Sequence, residues 1–114
     1  MHTNVLRIDV SYFGEMVVVA VQGEIDMETA PTLRAALDQI EGHNHAYIDM
    51  ARVRFIDSSG IKVLIAQTIR MQRESGQLHI QNPSRVVRRI VTVAGLSDQF
   101  FEFDDTTPIS GMAV

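Results

Sequence analysis

The spacing of apolar residues changes several times along this chain, and these changes constrain the fold more than any other feature. Apolar residues alternate with polar ones over Val5–Val10 and form a continuous run over Met16–Val21. They then recur at helical spacing between Thr29 and Gly42. A spacing of two residues is typical of strands, and a spacing of three to four is typical of helices. An ordered succession of both predicts a sheet with helices packed against it.

The rest of the chain continues this alternation. Because Gly14 lies in a turn between the first two strands, we expect those strands to be antiparallel. The third strand, the second helix and the fourth strand should form a βαβ unit with parallel strands. The run Met16–Val21 predicts a strand buried on both faces. We therefore predict an α/β fold: a mixed sheet of about four or five strands with helices mainly on one face. The remaining predicted strands are His45–Met50, Leu78–Ile80 and Phe100–Phe103, and the remaining helices are Ile61–Arg73 and Ser84–Val93.

Length and composition exclude several classes of protein. The 114 residues predict a single domain over residues 1–114, with a core over about 4–103 and a tail over 104–114. The absence of cysteine excludes disulfides and thiol chemistry. A net charge of −4 argues against nucleic-acid binding. No apolar run approaches the ~20 residues of a membrane helix, and no signal peptide pattern opens the chain. We expect a cytoplasmic domain without membrane insertion.

The segment from Asp57 to Gly60 lies where the second helix should begin. Asp and Ser are preferred at helix N-termini because their side-chain oxygens accept hydrogen bonds from free backbone N–H groups. Since one such cap is enough, at least one hydroxyl should remain available. Asp57, Ser58 and Ser59 all carry such an oxygen, and between the two serines either could be the cap while the other stays available. Asp26 also has two interpretations, as an N-cap near the first helix or as a residue that contacts a partner.

The second helix carries more apolar residues than one buried face requires. Ile61, Leu64, Ile65 and Thr68 would suffice for the core. The surplus predicts an exposed apolar surface near the helix start, of the kind that binds another protein. The surplus residues are Val63, Ala66, Ile69 and Met71.

Signals of catalysis or cofactor binding are weak. No His or Asp is placed to activate Ser58 as a nucleophile, and no G-x-x-x-x-G-K-[ST] loop is present. His43 and His45 lack a third convergent ligand, so they do not predict a metal site. We expect no catalytic residue, no cofactor and no metal ion, and hence a protein that is not an enzyme.

Four segments together resemble the STAS domains of the bacterial anti-sigma factor antagonist family. They are Gly23-Glu24-Ile25-Asp26, Asp49-Met50, Phe55-Ile56-Asp57-Ser58-Ser59-Gly60-Ile61 and Gly95-Leu96. The resemblance implies a mixed sheet with helices packed mainly on one face. It also implies binding to an anti-sigma factor that is itself a serine kinase, with release of a sigma factor. In this family the kinase modifies the serine that follows the motif's aspartate, here Ser58, and a separate phosphatase reverses the modification.

The resemblance also implies a partner-binding surface. Many relatives have a second glycine where this chain has Lys62, which leaves open how well a kinase recognises the motif. A phosphate at Ser58 would add about −1.5 to −2 charges at a helix N-terminus that favours an anion. We therefore expect phosphorylation to end partner binding while the domain stays folded. The surface comprises Asp26, Asp57, Ser58, Ser59, Gly60, Ile61 and Lys62.

A second hypothesis assigns the chain to a different class. It would be a STAS subunit that serves as a structural or regulatory component of a larger assembly, such as a lipid-transport ATPase or a stress-signalling complex. Ser58 would then be only a helix cap and would not be phosphorylated. The sequence leaves self-association open under both hypotheses.

Overall fold

Strands and helices alternate along the chain as the sequence predicts. The computed structural model describes residues 5–95 and the backbone of residues 103–104. Within them, no helix is long and apolar enough to cross a membrane. The elements are β1 (Arg7–Phe13), β2 (Met16–Ile25), α1 (Ala30–Asp38), β3 (His45–Ile56), α2 (Ser58–Arg73), β4 (Gln77–Gln81), α3 (Arg85–Val93) and β5 (Phe103–Asp104).

The strands form one mixed sheet in the order β1-β2-β3-β4-β5. β1 and β2 are antiparallel and are joined by the two-residue turn Gly14–Glu15. The other three pairs, β2 with β3, β3 with β4 and β4 with β5, are parallel. The predicted antiparallel hairpin, the parallel pairing of β3 with β4 and the α/β fold class are therefore confirmed.

The core lies against one face of the sheet. Val17, Val19 and Val21 of β2 are buried, whereas the intervening Met16, Val18 and Ala20 are only half-buried. The prediction that this run is buried on both faces is therefore wrong. The reason is that the buried residues of all three helices join a single apolar cluster with one side of the strands.

β2 and β3 are longer than predicted. β2 continues past Val21 to Ile25, and β3 continues past Met50 to Ile56. Polar residues interrupt the apolar alternation in both extensions, but the parallel pairing continues through two register shifts to the pair Ile25–Ile56. The segment before Asp57 is therefore strand rather than loop, and both strands end at the same edge of the sheet.

The described part of the last strand, β5, is Phe103–Asp104, and it pairs with Ile80 and Gln81 of β4. It shares Phe103 with the predicted strand Phe100–Phe103. The predicted tail over residues 104–114 therefore begins within a strand. The other predicted strand residues, 100–102, and residues 105–114 lie outside the described residues.

Candidate functional site

The ends of β2 and β3 bring Asp26 and Asp57 to the same part of the surface. Ile25 pairs with Ile56, and the Asp57 N–H donates a hydrogen bond to the Ile25 carbonyl at 3.0 Å. Each aspartate directly follows its strand. Because the strands are parallel neighbours, about 4.8 Å apart, the two aspartates lie at the same end of the sheet, just after the C-terminal ends of β2 and β3. Asp26 and Asp57 are therefore neighbours in the fold, although they are 31 residues apart in the sequence.

Asp57 is the N-cap of α2. Its backbone is extended, and its carboxylate accepts hydrogen bonds from the N–H groups of Ser59 at 2.8 Å and Gly60 at 3.4 Å. The two serine alternatives for the cap, Ser58 and Ser59, are therefore both wrong, because the Asp57 carboxylate accepts the hydrogen bonds of the free N–H groups. Neither serine hydroxyl hydrogen-bonds to another residue within the described ranges. Ser58 is exposed and Ser59 is half-buried.

Asp26 organises the turn that leads into α1. Its Oδ1 accepts hydrogen bonds from the N–H groups of Glu28 and Thr29, both at 3.0 Å. The Asp26 carbonyl accepts from the Ala30 N–H at 2.7 Å. Thr29, rather than Asp26, is the N-cap residue of α1, and its side chain makes no cap hydrogen bond. The cap interpretation therefore holds for the preceding turn and not for the helix itself.

Two of the predicted partner-binding residues lie beneath the surface. Gly60 is buried, and Ile61 is 8% exposed. A Cβ atom added to Gly60 would lie 2.5 Å from Cγ2 of Ile25 and 2.8 Å from Cγ1 of Ile56. Glycine therefore lets the first turn of α2 pack directly on the ends of β2 and β3. These two residues hold the surface in place from below.

The predicted exposed apolar surface of α2 is wrong for two of its four surplus residues. Val63 and Met71 are buried, whereas Ala66 and Ile69 are exposed. The reason is that α2 packs on α1 as well as on the sheet.

Side-chain hydrogen bonds fix this contact between the two helices. The Gln67 amide donates to the Asp38 carboxylate at 2.6 Å. The Arg70 guanidinium donates to the carbonyls of Leu37 and Ile40, each at 3.0 Å. The last turn of α1 is therefore held against α2, and the helix starts are positioned relative to each other.

Exposed apolar side chains do occur near the site, but on the strand ends and the loop. Met27, next to Asp26, is 79% exposed, and Phe55, two residues before Asp57, is 46% exposed. Neither was predicted as a site residue. Their only signal in the sequence is that each lies one or two residues from a motif aspartate.

A groove of about 440 Å³ lies between the starts of α1 and α2. Arg34 and Lys62 contribute positive charge to it, and Met27 and Val63 contribute apolar surface. Ser59 lines the same groove, so the groove adjoins the first turn of α2. Six residues in this part of the surface carry positive charge, negative charge and one apolar side chain. We call this surface the rim. The rim comprises Asp26, Met27, Asp57, Ser58, Ser59 and Lys62.

His45 and His79 lie away from this site. Within the described ranges, no group of three or more His, Asp or Glu residues could hold a metal ion. His45 lies 6.5 Å from His79 between ring centroids, and His79 stacks on Tyr47 at 4.6 Å. These rings belong to β3 and β4. His45 is the first residue of β3, at the end of the strand opposite to the rim.

Replacing Asp57 with Ala should lower the free energy of unfolding by about 1 kcal/mol, because two N–H groups of α2 lose their acceptor. Asp57→Asn should retain most of that stability, since its amide oxygen can still accept the hydrogen bonds. Urea unfolding of the three proteins measures both effects. Equal stability of wild type and Asp57→Ala would contradict the assigned cap.

Comparisons with known proteins agree with this architecture. The STAS domain family model matches residues 7–108. The anti-sigma-B factor antagonist of Bacillus subtilis is 29% identical over 94 residues, which cover 82% of this chain and 86% of that protein. The crystal structure of an anti-sigma factor antagonist from Mycobacterium paratuberculosis superposes with a TM-score of 0.81 at 29% identity, covering 96% of this chain and 94% of that one.

The fold is also that of SpoIIAA, which has been solved in two states. The unphosphorylated form gives a TM-score of 0.75 at 20% identity, with 93% of each chain covered. The phosphorylated form, from Bacillus, gives 0.70 at 19% identity and covers 94% of this chain and 97% of that one. With a family match over most of its length and the expected arrangement of sheet and helices, this chain belongs to the STAS domain family.

Proposed function

We propose that this protein is an anti-sigma factor antagonist: it binds an anti-sigma factor with serine-kinase activity through the rim, and phosphorylation of Ser58 ends that binding. One observation carries the proposal. Ser58 is exposed at the first position of α2, and its hydroxyl has no hydrogen-bond partner among the described residues. A kinase can therefore reach this oxygen without opening the helix.

The rim has the composition of a protein-binding surface. Met27 offers an exposed apolar side chain and lines the groove together with Lys62, while Asp26 and Asp57 add negative charge at the adjoining strand ends. Such a combination suits another protein, because an apolar centre with a polar border is the usual organisation of an interface. In this proposal Gly60 and Ile61 act from below by fixing the first turn of α2. The named relatives are anti-sigma factor antagonists, which makes an anti-sigma factor the best candidate partner.

A phosphate at Ser58 changes the rim far more than it changes the fold. The positive end of the α2 dipole favours an anion, which offsets the repulsion from the neighbouring Asp57 carboxylate. The rim itself gains about −1.5 to −2 charges where it holds two carboxylates and one ammonium group. A partner that fits the unmodified rim then faces an uncompensated and desolvated anion. SpoIIAA, with the same fold, exists in a phosphorylated form, which supports the compatibility of phosphate with this architecture.

The proposal also covers the setting in which the protein acts. A kinase that uses ATP would phosphorylate the protein, and a phosphatase would restore the unphosphorylated form. Both reactions and the sigma factor require a cytoplasmic location. The protein itself acts by binding and not by catalysis. The alternative of a structural subunit, in which Ser58 is only a helix cap, is weakened because Asp57 has that role.

Incubation with the candidate anti-sigma kinase and ATP, followed by mass spectrometry, tests the proposal. We expect one phosphate on Ser58 in the wild type and in Ser59→Ala, and none in Ser58→Ala. Ser59 is the matched control, because it is adjacent and is also a serine without a hydrogen-bonded hydroxyl. Phosphate on Ser59 of the wild type, or on neither serine, would overturn the assignment of Ser58.

A further inference from the structure

The outer edge of the sheet is formed by a long strand without a neighbour among the described strands. β1 has seven residues, stands first in the strand order and pairs only with β2. Six of its residues are exposed, including Val10 at 39% and Tyr12 at 56%. Edge strands are usually protected by Lys, Pro or a bulge, because their free backbone groups can pair with another chain. β1 contains neither Lys nor Pro, and its register with β2 is unbroken. Its two charged residues, Arg7 and Asp9, lie on the face opposite to Val10.

The register with β2 shows which backbone groups face outward. Because Gly14–Glu15 is a two-residue turn, Phe13 and Met16 form the hydrogen-bonded pair that closes the hairpin. Hydrogen-bonded and non-hydrogen-bonded pairs alternate along an antiparallel ladder. Counting back from Phe13, Ile8, Val10 and Tyr12 direct their N–H and C=O groups away from β2, toward the free edge.

We propose that β1 pairs with β1 of a second copy of this chain, antiparallel and with the two-fold axis at Val10. Val10 then faces Val10 of the second copy, and Ile8 faces Tyr12 of the second copy. All outward N–H and C=O groups of these three residues are satisfied in this register. The apolar side chains of one face of β1 cover each other, in cross-strand pairs of the kind that stabilise sheets.

The side-chain pairs of this register favour a second copy as the occupant of this edge. On the other face of β1, the same register places Asp9 opposite Ser11 of the second copy and Arg7 opposite Phe13 of the second copy. A serine hydroxyl can donate to a carboxylate, and an arginine can pack on an aromatic ring. No two like charges lie directly opposite each other in this register, so each direct pair along the seven-residue strand avoids charge repulsion.

The dimer leaves both rims accessible. β3, which leads to Ser58, lies two strands from β1, a distance of about 10 Å. The antiparallel pairing directs the two rims to opposite ends of the joined sheet. The dimer could therefore hold two partner molecules at once, and its formation does not depend on the state of Ser58.

Analytical ultracentrifugation of the full chain tests the pairing. We expect the wild type to dimerise in a concentration-dependent way and Val10→Lys to weaken the dimer by about 100-fold, because two lysines would directly oppose each other. Val93→Lys is the matched control, since Val93 is 78% exposed on α3. It should change the dissociation constant by less than about threefold. A monomeric wild type, or equal weakening by both variants, would overturn the proposal.

A single cysteine provides an independent test of the register. The natural chain has none, so Val10→Cys and Val93→Cys each introduce one thiol. Under mild oxidation, Val10→Cys should form a covalent dimer at least about tenfold faster than Val93→Cys, because only position 10 lies on the two-fold axis. Equal rates would overturn the proposed axis. The proposal would also be overturned if the β1 amides were protected from hydrogen exchange only after a different protein was added.

Discussion

Replacing Ser58 with Asp is expected to weaken binding of the anti-sigma partner by about 100-fold, which corresponds to about 2.7 kcal/mol. Ser58 is exposed beside the Asp57 carboxylate, so a second carboxylate at this position concentrates negative charge at the centre of the rim. A charge that is buried against a partner without compensation costs several kcal/mol. Isothermal titration calorimetry of the purified pair measures the effect. Phosphoserine at the same position should weaken binding further, because it carries more charge than aspartate.

Two variants separate this effect from damage to the fold. Ser58→Ala should bind within about threefold of wild type, because its hydroxyl has no hydrogen-bond partner among the described residues. Gln72→Glu adds the same charge to an exposed position near the other end of α2 and should also leave the affinity unchanged. If the phosphorylated protein and Ser58→Asp both retain wild-type affinity, Ser58 is not the switch.

The fold could be predicted from the sequence wherever local signals agreed. The turn at Gly14 and the helical spacing after Pro31 predicted the hairpin and the first helix correctly. The lengths of β2 and β3 could not be predicted, because Gln22 and Arg52 interrupt the apolar pattern at a register shift between the two strands. Pairing between strands compensates for the weak local pattern, and that pairing joins residues far apart in the sequence.

The site could be predicted in composition but not in geometry. The two aspartates and the serine were identified, and the strand ends bring the aspartates together. The sequence alone does not determine which residue caps α2, since Asp57, Ser58 and Ser59 are all good caps and only the backbone geometry selects among them. Met27 was missed because a single exposed methionine in a loop has no periodicity to mark it. The burial of Val63 depended on the packing of α2 against α1, which no local pattern encodes.

The second large effect concerns the other end of α2. Gly76 follows this helix, and its N–H donates to the Met71 carbonyl at 2.8 Å. A Cβ atom at position 76 would overlap the backbone carbonyl oxygens of Gly42 and Asn44. The Asn44 carbonyl also accepts the Gln77 N–H at 3.1 Å, so relief of the overlap would disturb the start of β4. Gly76→Ala should therefore lower the free energy of unfolding by about 3 kcal/mol, a large part of the ~5–15 kcal/mol typical of a domain.

Gly42→Ala is the matched control, because it adds the same methyl group on the opposite side of this contact. The three atoms nearest to its Cβ atom would all belong to the carboxylate group of Glu74, an exposed side chain that can rotate away. We expect a loss below about 1 kcal/mol for this variant. Urea unfolding of both variants measures the difference, and a loss below about 1 kcal/mol for Gly76→Ala would show that the two backbone segments are not in close contact. Since Gly76 lies at the end of α2 opposite to the rim, Gly76→Ala should still bind the anti-sigma partner with wild-type affinity under conditions where it is folded.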